Sequence, residues 1–175
     1  SVEGLRSVGW QGVGGWSVGR VNVGRLKCAG HVGGGGRWCR WRQAAKLVVV
    51  VVEGCGSNGC EYMTGGVAVI LGRIGPNFGA GMTGGMAYLY DPDARVADML
   101  NSETVVTCPV TVPHWENQLH GLIARHLEET GSQHASEILQ NWDVEKAHFV
   151  QVCPIEMLDK LEHPVTLDAA AVPAE

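Results

Sequence analysis

The sequence has no long apolar run. The longest, residues 47–52, falls far short of the roughly 18–20 residues that a membrane-spanning helix needs. It also lacks the apolar centre of a secretory signal, because Gly, Arg and Trp interrupt the first residues. Glycine is frequent without recurring at every third position, which excludes a collagen helix. Six cysteines in a chain of this size do not demand a disulfide framework. Cys28, Cys39, Cys55, Cys60, Cys108 and Cys153 read instead as free buried thiols of a cytoplasmic protein. Acids are nearly missing from residues 1–47, where Glu3 stands alone, and glycine is nearly missing after residue 90, where only Gly121 and Gly131 occur.

What is present divides into unlike parts. Residues 1–47 hold 12 glycines and four of the six tryptophans and carry a charge of +7. Residues 48–90 hold 11 glycines at a charge of −1, and residues 91–175 carry −11. One uniform domain does not produce such a split. The division read from it is a Gly-, Arg- and Trp-rich segment over 1–47, repeats over 48–91, a connector over 92–113, a helical extension over 114–163 and a tail over 164–175.

The repeat is the most informative feature. Met63-Thr64-Gly65-Gly66 recurs 19 residues later as Met82-Thr83-Gly84-Gly85. At the same offset Gly56 matches Gly75, Asn58 matches Asn77, and Ala68 matches Ala87. Apolar runs at 48–52, 67–71 and 86–90 fall in register and are rich in β-branched or aromatic residues, so each reads as a strand. The Gly and Asn between them tolerate the positive φ angles of sharp corners. Short strands recurring about every 20 residues predict stacked rungs of a β-solenoid, with an antiparallel meander as the alternative.

Several chemical patterns fail on their own mechanics. Gly54, Gly56 and Gly59 spell G-x-G-x-x-G after a strand, but a dinucleotide site needs a helix opening at the third glycine. Here Thr64-Gly65-Gly66 and another strand follow at once. Cys55 and Cys60 are spaced too loosely for a usual zinc pair, and Cys28, His31 and Cys39 have no predicted scaffold. His114, His120 and His126 step by about 240° around a helix and cannot converge on one ion. Glu128 and Glu129 are adjacent and read as a solvated helix face. No catalytic, cofactor-binding or metal-binding residue is assigned.

The acidic part reads as helical. Residues 114–130 place Trp115, Leu119, Leu122, Ile123 and Leu127 on one stripe, with Gly131 as the stop. Ser132 caps a second helix whose stripe is Ala135, Ile138, Leu139 and Trp142. Residues 147–152 read as extended, and Pro154 starts a brief helix through Leu161.

The run from Glu53-Gly54-Cys55-Gly56 through Gly59-Cys60-Glu61-Tyr62-Met63-Thr64-Gly65-Gly66, with Asn77-Phe78-Gly79-Ala80-Gly81-Met82-Thr83-Gly84-Gly85-Met86-Ala87-Tyr88, resembles a known family. It is similar to the C-terminal Gly-x-Gly-x-Gly domain of the glutamate synthase large chain. His114-Trp115-Glu116, Thr130-Gly131-Ser132, Trp142 and His148-Phe149-Val150-Gln151-Val152-Cys153-Pro154 extend the likeness, which covers about residues 48–163. Formylmethanofuran dehydrogenase subunits share related solenoids without this tail. The resemblance implies a mainly β fold: a right-handed parallel β-helix segment, then a short helical extension. It also implies an enzyme that makes two glutamates from glutamine and 2-oxoglutarate with reducing equivalents. In that family the glutaminase uses an N-terminal cysteine, the synthase domain carries FMN and a three-iron cluster, and FAD sits on a small electron-donating partner subunit. Ser1 is not that nucleophile, and no cysteine here matches a cluster ligand. The chain is therefore expected to be a non-catalytic, cytoplasmic fragment that braces the glutaminase and FMN domains and holds no cofactor of its own.

Residues 1–47 depart from the family pattern. Subtracting 19 from Met63-Thr64-Gly65-Gly66 lands on Ala44-Ala45-Lys46-Leu47, which does not match. The segment is expected to be irregular, and its composition is what a GC-rich gene yields out of frame. The genomic DNA upstream of codon 48 is the check. Two rival functions are a stand-alone solenoid binding module and a basic arm that binds nucleic acid through Trp10, Trp16, Trp38 and Trp41. The strongly acidic remainder of the chain argues against the latter.

Overall fold

The computed structural model describes residues 49–167, and in it the repeat becomes a set of parallel strands. β1 (Val49–Val52), β2 (Thr64–Ile70) and β3 (Gly84–Tyr90) lie side by side in that order. Ala68 faces Ala87 and Ile70 faces Leu89, the offset of 19 that the repeat predicts, while β1 meets β2 at an offset of 18. Successive side chains enter two different cores. Val51, Val69 and Tyr88 point to the helical side, and Val50, Val52, Ala68, Ile70 and Leu89 point the other way, under Phe78, Met82 and Val96. A strand buried on both faces reads as a continuous apolar run, which is why these segments show no polar alternation.

The corners stack as closely as the strands. Asn58, Cys60 and Tyr62 have positive φ, and so do Asn77, Gly79 and Gly81 at the matching positions of the next turn. Main-chain bonds join the two turns, from Asn58 N–H to the Pro76 carbonyl at 3.0 Å and from Gly79 N–H to the Gly59 carbonyl at 2.8 Å. Asn77 Nδ2 donates to Asn58 Oδ1 at 2.8 Å, and Asn101 Nδ2 donates to Asn77 Oδ1 at 2.9 Å, so the amides form a ladder. Gly81 is required by contact as well as by φ. A Cβ there would lie 2.5 Å from the Tyr62 ring.

The expected right-handed parallel β-helix is overturned by the path of the chain beyond β3. The strands form one open, five-stranded mixed sheet in the order β1-β2-β3-β5-β4. β4 (Val105–Pro109) and β5 (Phe149–Pro154) are antiparallel to each other, and β5 is antiparallel to β3. About 36% of the structure is helical, so the mainly β expectation also fails. The physical reason is that the 19-residue period stops at Asp91. Its carboxylate accepts from the amides of Arg95 and Val96 and turns the chain into a new path. The parallel pairing equally overturns the antiparallel meander. The connector expectation missed β4, whose short Val-Val-Thr-Cys-Pro run carries no repeat signal.

The helices form where the apolar stripes place them. α1 (Pro113–Thr130) starts with Pro in its first turn, where the missing donor costs nothing, and ends at Gly131 with φ of 67°. α2 (Gln133–Gln140) is capped by Ser132, whose Oγ accepts from Ala135 N–H at 3.1 Å. A single turn, α3 (Trp142–Glu145), leads into β5, and a 3-10 segment (Ile155–Lys160) comes after it. Trp115, Leu119, Ile123, Ala135 and Ile138 close over the sheet as the main core. Among the described residues no helix is long and apolar enough to cross a membrane. The expectations for residues 1–47, including Cys28, His31, Cys39 and the four tryptophans, lie outside the described residues.

Candidate functional site

Because β1, β2 and β3 are parallel, their carboxyl ends line up along one edge, and the helices deliver polar side chains to it. Glu53 follows β1. One of its carboxylate oxygens, Oε1, accepts the hydroxyl of Ser132, the residue that caps α2. The same Oε1 lies 3.9 Å from Nε2 of His126 on α1. Leu71 follows β2, and its carbonyl meets His134 Nε2 at 2.7 Å. Tyr90 ends β3. Its hydroxyl donates to Glu145 Oε2 at 2.6 Å, and its ring meets His134 edge-on at 5.6 Å. Glu145 Oε2 also meets His148 Nδ1 at 3.1 Å. The result is a polar row that ties each parallel strand to the helical layer.

The electrostatics follow from burial and from these bonds. Burial pushes the Tyr90 phenol up to about 12, helped by the Glu145 carboxylate that its proton serves. Glu145 is held below the usual carboxylate range by that hydrogen bond and by His148. Burial lowers His126, while the charges of Glu53 and Glu129 pull it the other way. Further along the seam, Tyr88 donates to Gln118 Oε1 at 2.8 Å, and Lys146 pairs with Glu116 at 2.9 Å. That pairing lowers Glu116 and raises Lys146.

The row can hold and orient, but its groups are set against the geometry of nucleophilic catalysis. The Ser132 hydroxyl donates to a carboxylate rather than to an imidazole, and one of its two lone pairs accepts from Ala135 N–H. The residues weighed in the sequence are scattered. His114 stacks on His163 at 3.8 Å, His120 meets Trp142 edge-on at 5.0 Å, and His126 is buried at the row. The three do not converge. Glu128 and Glu129 lie on the outer side of α1, and Arg125 Nε donates to Glu129 at 2.7 Å. Gly54, Gly56 and Gly59 lie in the turn before β2, with Gly59 packed against Phe78 and no helix following. Burial pushes the Cys55 and Cys153 thiols up to about 11 and raises Cys60 further. Such thiols are poor thiolate donors at neutral pH. Among the described residues no three His, Cys, Asp or Glu side chains are placed to hold a metal ion.

The row itself was not assigned from the sequence. Its pairs are separated by 79 residues for Glu53–Ser132, 63 for Leu71–His134 and 55 for Tyr90–Glu145. The one available signal was that Glu53 and Tyr90 each end an apolar run.

Known proteins place the chain. The GXGXG motif family matches residues 21–155. Over 150 residues the chain is 49% identical to the glutamate synthase (NADPH) large chain of Azospirillum brasilense, covering 86% of this chain and 10% of that one. It is 47% identical over 108 residues to ferredoxin-dependent glutamate synthase 2, chloroplastic, of Arabidopsis thaliana, covering 62% and 7%. It is also 47% identical over 114 residues to glutamate synthase (NADH) of Schizosaccharomyces pombe, covering 65% and 5%. The chain thus spans a tenth or less of the length of these relatives.

Proposed function

This chain belongs to the GXGXG motif family as a domain of the glutamate synthase type, and from that membership we propose that it is a non-catalytic brace within such an enzyme. The enzyme would convert glutamine and 2-oxoglutarate, with reducing equivalents, into two glutamates. This segment would support its glutaminase and FMN domains in the cytoplasm. The observation that carries the reading is the polar row. Its side chains are spent on tying helices to strand ends, and none is left as a nucleophile beside a base.

FMN, a three-iron cluster and FAD do not fit the residues described. Cys55 and Cys60 stand together, but among the described residues no third metal-ligating side chain is placed beside them, and the glycine-rich turn lacks the helix that would receive a phosphate. Those groups belong, on this reading, to other domains and to a partner subunit. Relatives whose names specify NADPH, ferredoxin and NADH match at 49%, 47% and 47% identity, which favours a choice of electron donor made outside this segment.

The test is direct. The purified 175-residue chain is expected to show no flavin absorbance and no glutamine-dependent glutamate formation. Measurable turnover by the chain alone would overturn the reading.

A further inference from the structure

His126 is 4% exposed, and among the described side chains its Nε2 is the buried polar atom without a hydrogen-bond partner. An orphan of this kind costs stability, so its surroundings call for an account. Nε2 stands 3.9 Å from Glu53 Oε1, just beyond bonding reach, and that oxygen already holds the Ser132 hydroxyl. Ser132 in turn caps α2 through Ala135 N–H. One carboxylate oxygen therefore sits between a hydroxyl that it holds and an imidazole that it does not.

We propose that His126, Glu53 and Ser132 form a proton-operated latch: protonation of His126 draws the Glu53 carboxylate onto Nε2–H, takes it from Ser132, and loosens the first turn of α2 from the end of β1. The preference shifts because the imidazolium meets the carboxylate as a charged donor and forms an ion pair, whereas the Ser132 hydroxyl is a neutral donor to the same charge. The groups acting on His126 are Glu53 from the end of β1 and, through its charge alone from the outer side of the same helix, Glu129; Ser132 from the turn between helices holds the Glu53 carboxylate. Both carboxylates favour the proton, while burial opposes it and is the larger effect. The latch therefore works on the acid side of the ordinary imidazole range. His134 also stands in the first turn of α2, but it faces the Leu71 carbonyl and Tyr90 instead. The latch belongs to this chain's own fold and does not depend on the bracing role.

Hydrogen–deuterium exchange on the full 175-residue chain from pH 7.5 to 5.0, corrected for intrinsic rates, tests it. The peptide covering residues 133–140 should lose protection about five- to tenfold relative to residues 115–125, the size expected when the hydrogen bond that tethers the helix start to the end of β1 is lost. His126→Gln should flatten this step. If that variant does not fold, Glu53→Gln should shift the step to lower pH, because a carboxamide cannot stabilise the imidazolium. His134→Gln should leave the step in place. A flat wild-type profile, a step unchanged in both the His126 and Glu53 variants, or a step lost only in the His134 variant would each overturn the latch.

Discussion

Burial and a single acceptor fix the proton on Tyr90. Its hydroxyl serves Glu145, and ionisation would place two negative charges 2.6 Å apart at the end of β3. The folded phenol keeps its proton up to about 12, against about 10 in an unfolded chain. The folded state thus holds more protons between those values, and stability contributed by this group is lost as pH rises from 10 towards 12. Absorbance titration of the intact chain should show a tyrosinate step near 12 that Tyr90→Phe removes. Glu145 works with the opposite sign. Its carboxyl is held below its ordinary value of 4.5, so its contribution is present above that pH and fades below it. The neighbouring turns show how one residue's freedom serves another's shape. Tyr62 adopts a φ of 54°, unusual for a bulky side chain, and its ring lies where a Cβ on Gly81 would be.

At the scale of elements, α1 carries a glycine that no contact among the described residues requires. A Cβ added at Gly121 meets open space. The residue lines a shallow groove of about 480 Å³ with Ala124, Leu127 and Leu139. Glycine inside a helix costs about 0.5–1 kcal/mol relative to alanine, so Gly121→Ala should raise the stability of the chain by that amount in a denaturant titration. The helices were the most legible elements. The stripe of Trp115, Leu119 and Ile123, the stop at Gly131 and the cap at Ser132 all stand where their residue types put them, because each signal is local. The three repeat strands were legible for the same reason. β4 was not, since five residues without periodicity acquire their state only by pairing with β5. The solenoid expectation failed at this level. A 19-residue period fixes how strands pair, but it does not say where the period ends, and Asp91 ends it with its own side chain. The polar row was invisible because its bonds join residues 55–79 positions apart.

For the whole molecule, the chain is similar to a comparable degree to relatives named for three different electron donors. Exchanging the matching segment between an NADPH-type and a ferredoxin-type enzyme should leave the donor preference of each recipient unchanged, as read by steady-state assays with both donors. The order of strands in the sheet bears on something else, the timing of assembly. Among the described strands β5 is the last in sequence, yet it sits inside the sheet between β3 and β4. Its pairing joins Ala87 to Val152, 65 residues apart, so β3 keeps a bare edge until nearly the whole described chain has been synthesised. Closing so long a loop before any contact rewards it slows folding. On a ribosome the sheet would wait for its final strand, exposing an unpaired edge that nascent-chain chaperones are suited to shield.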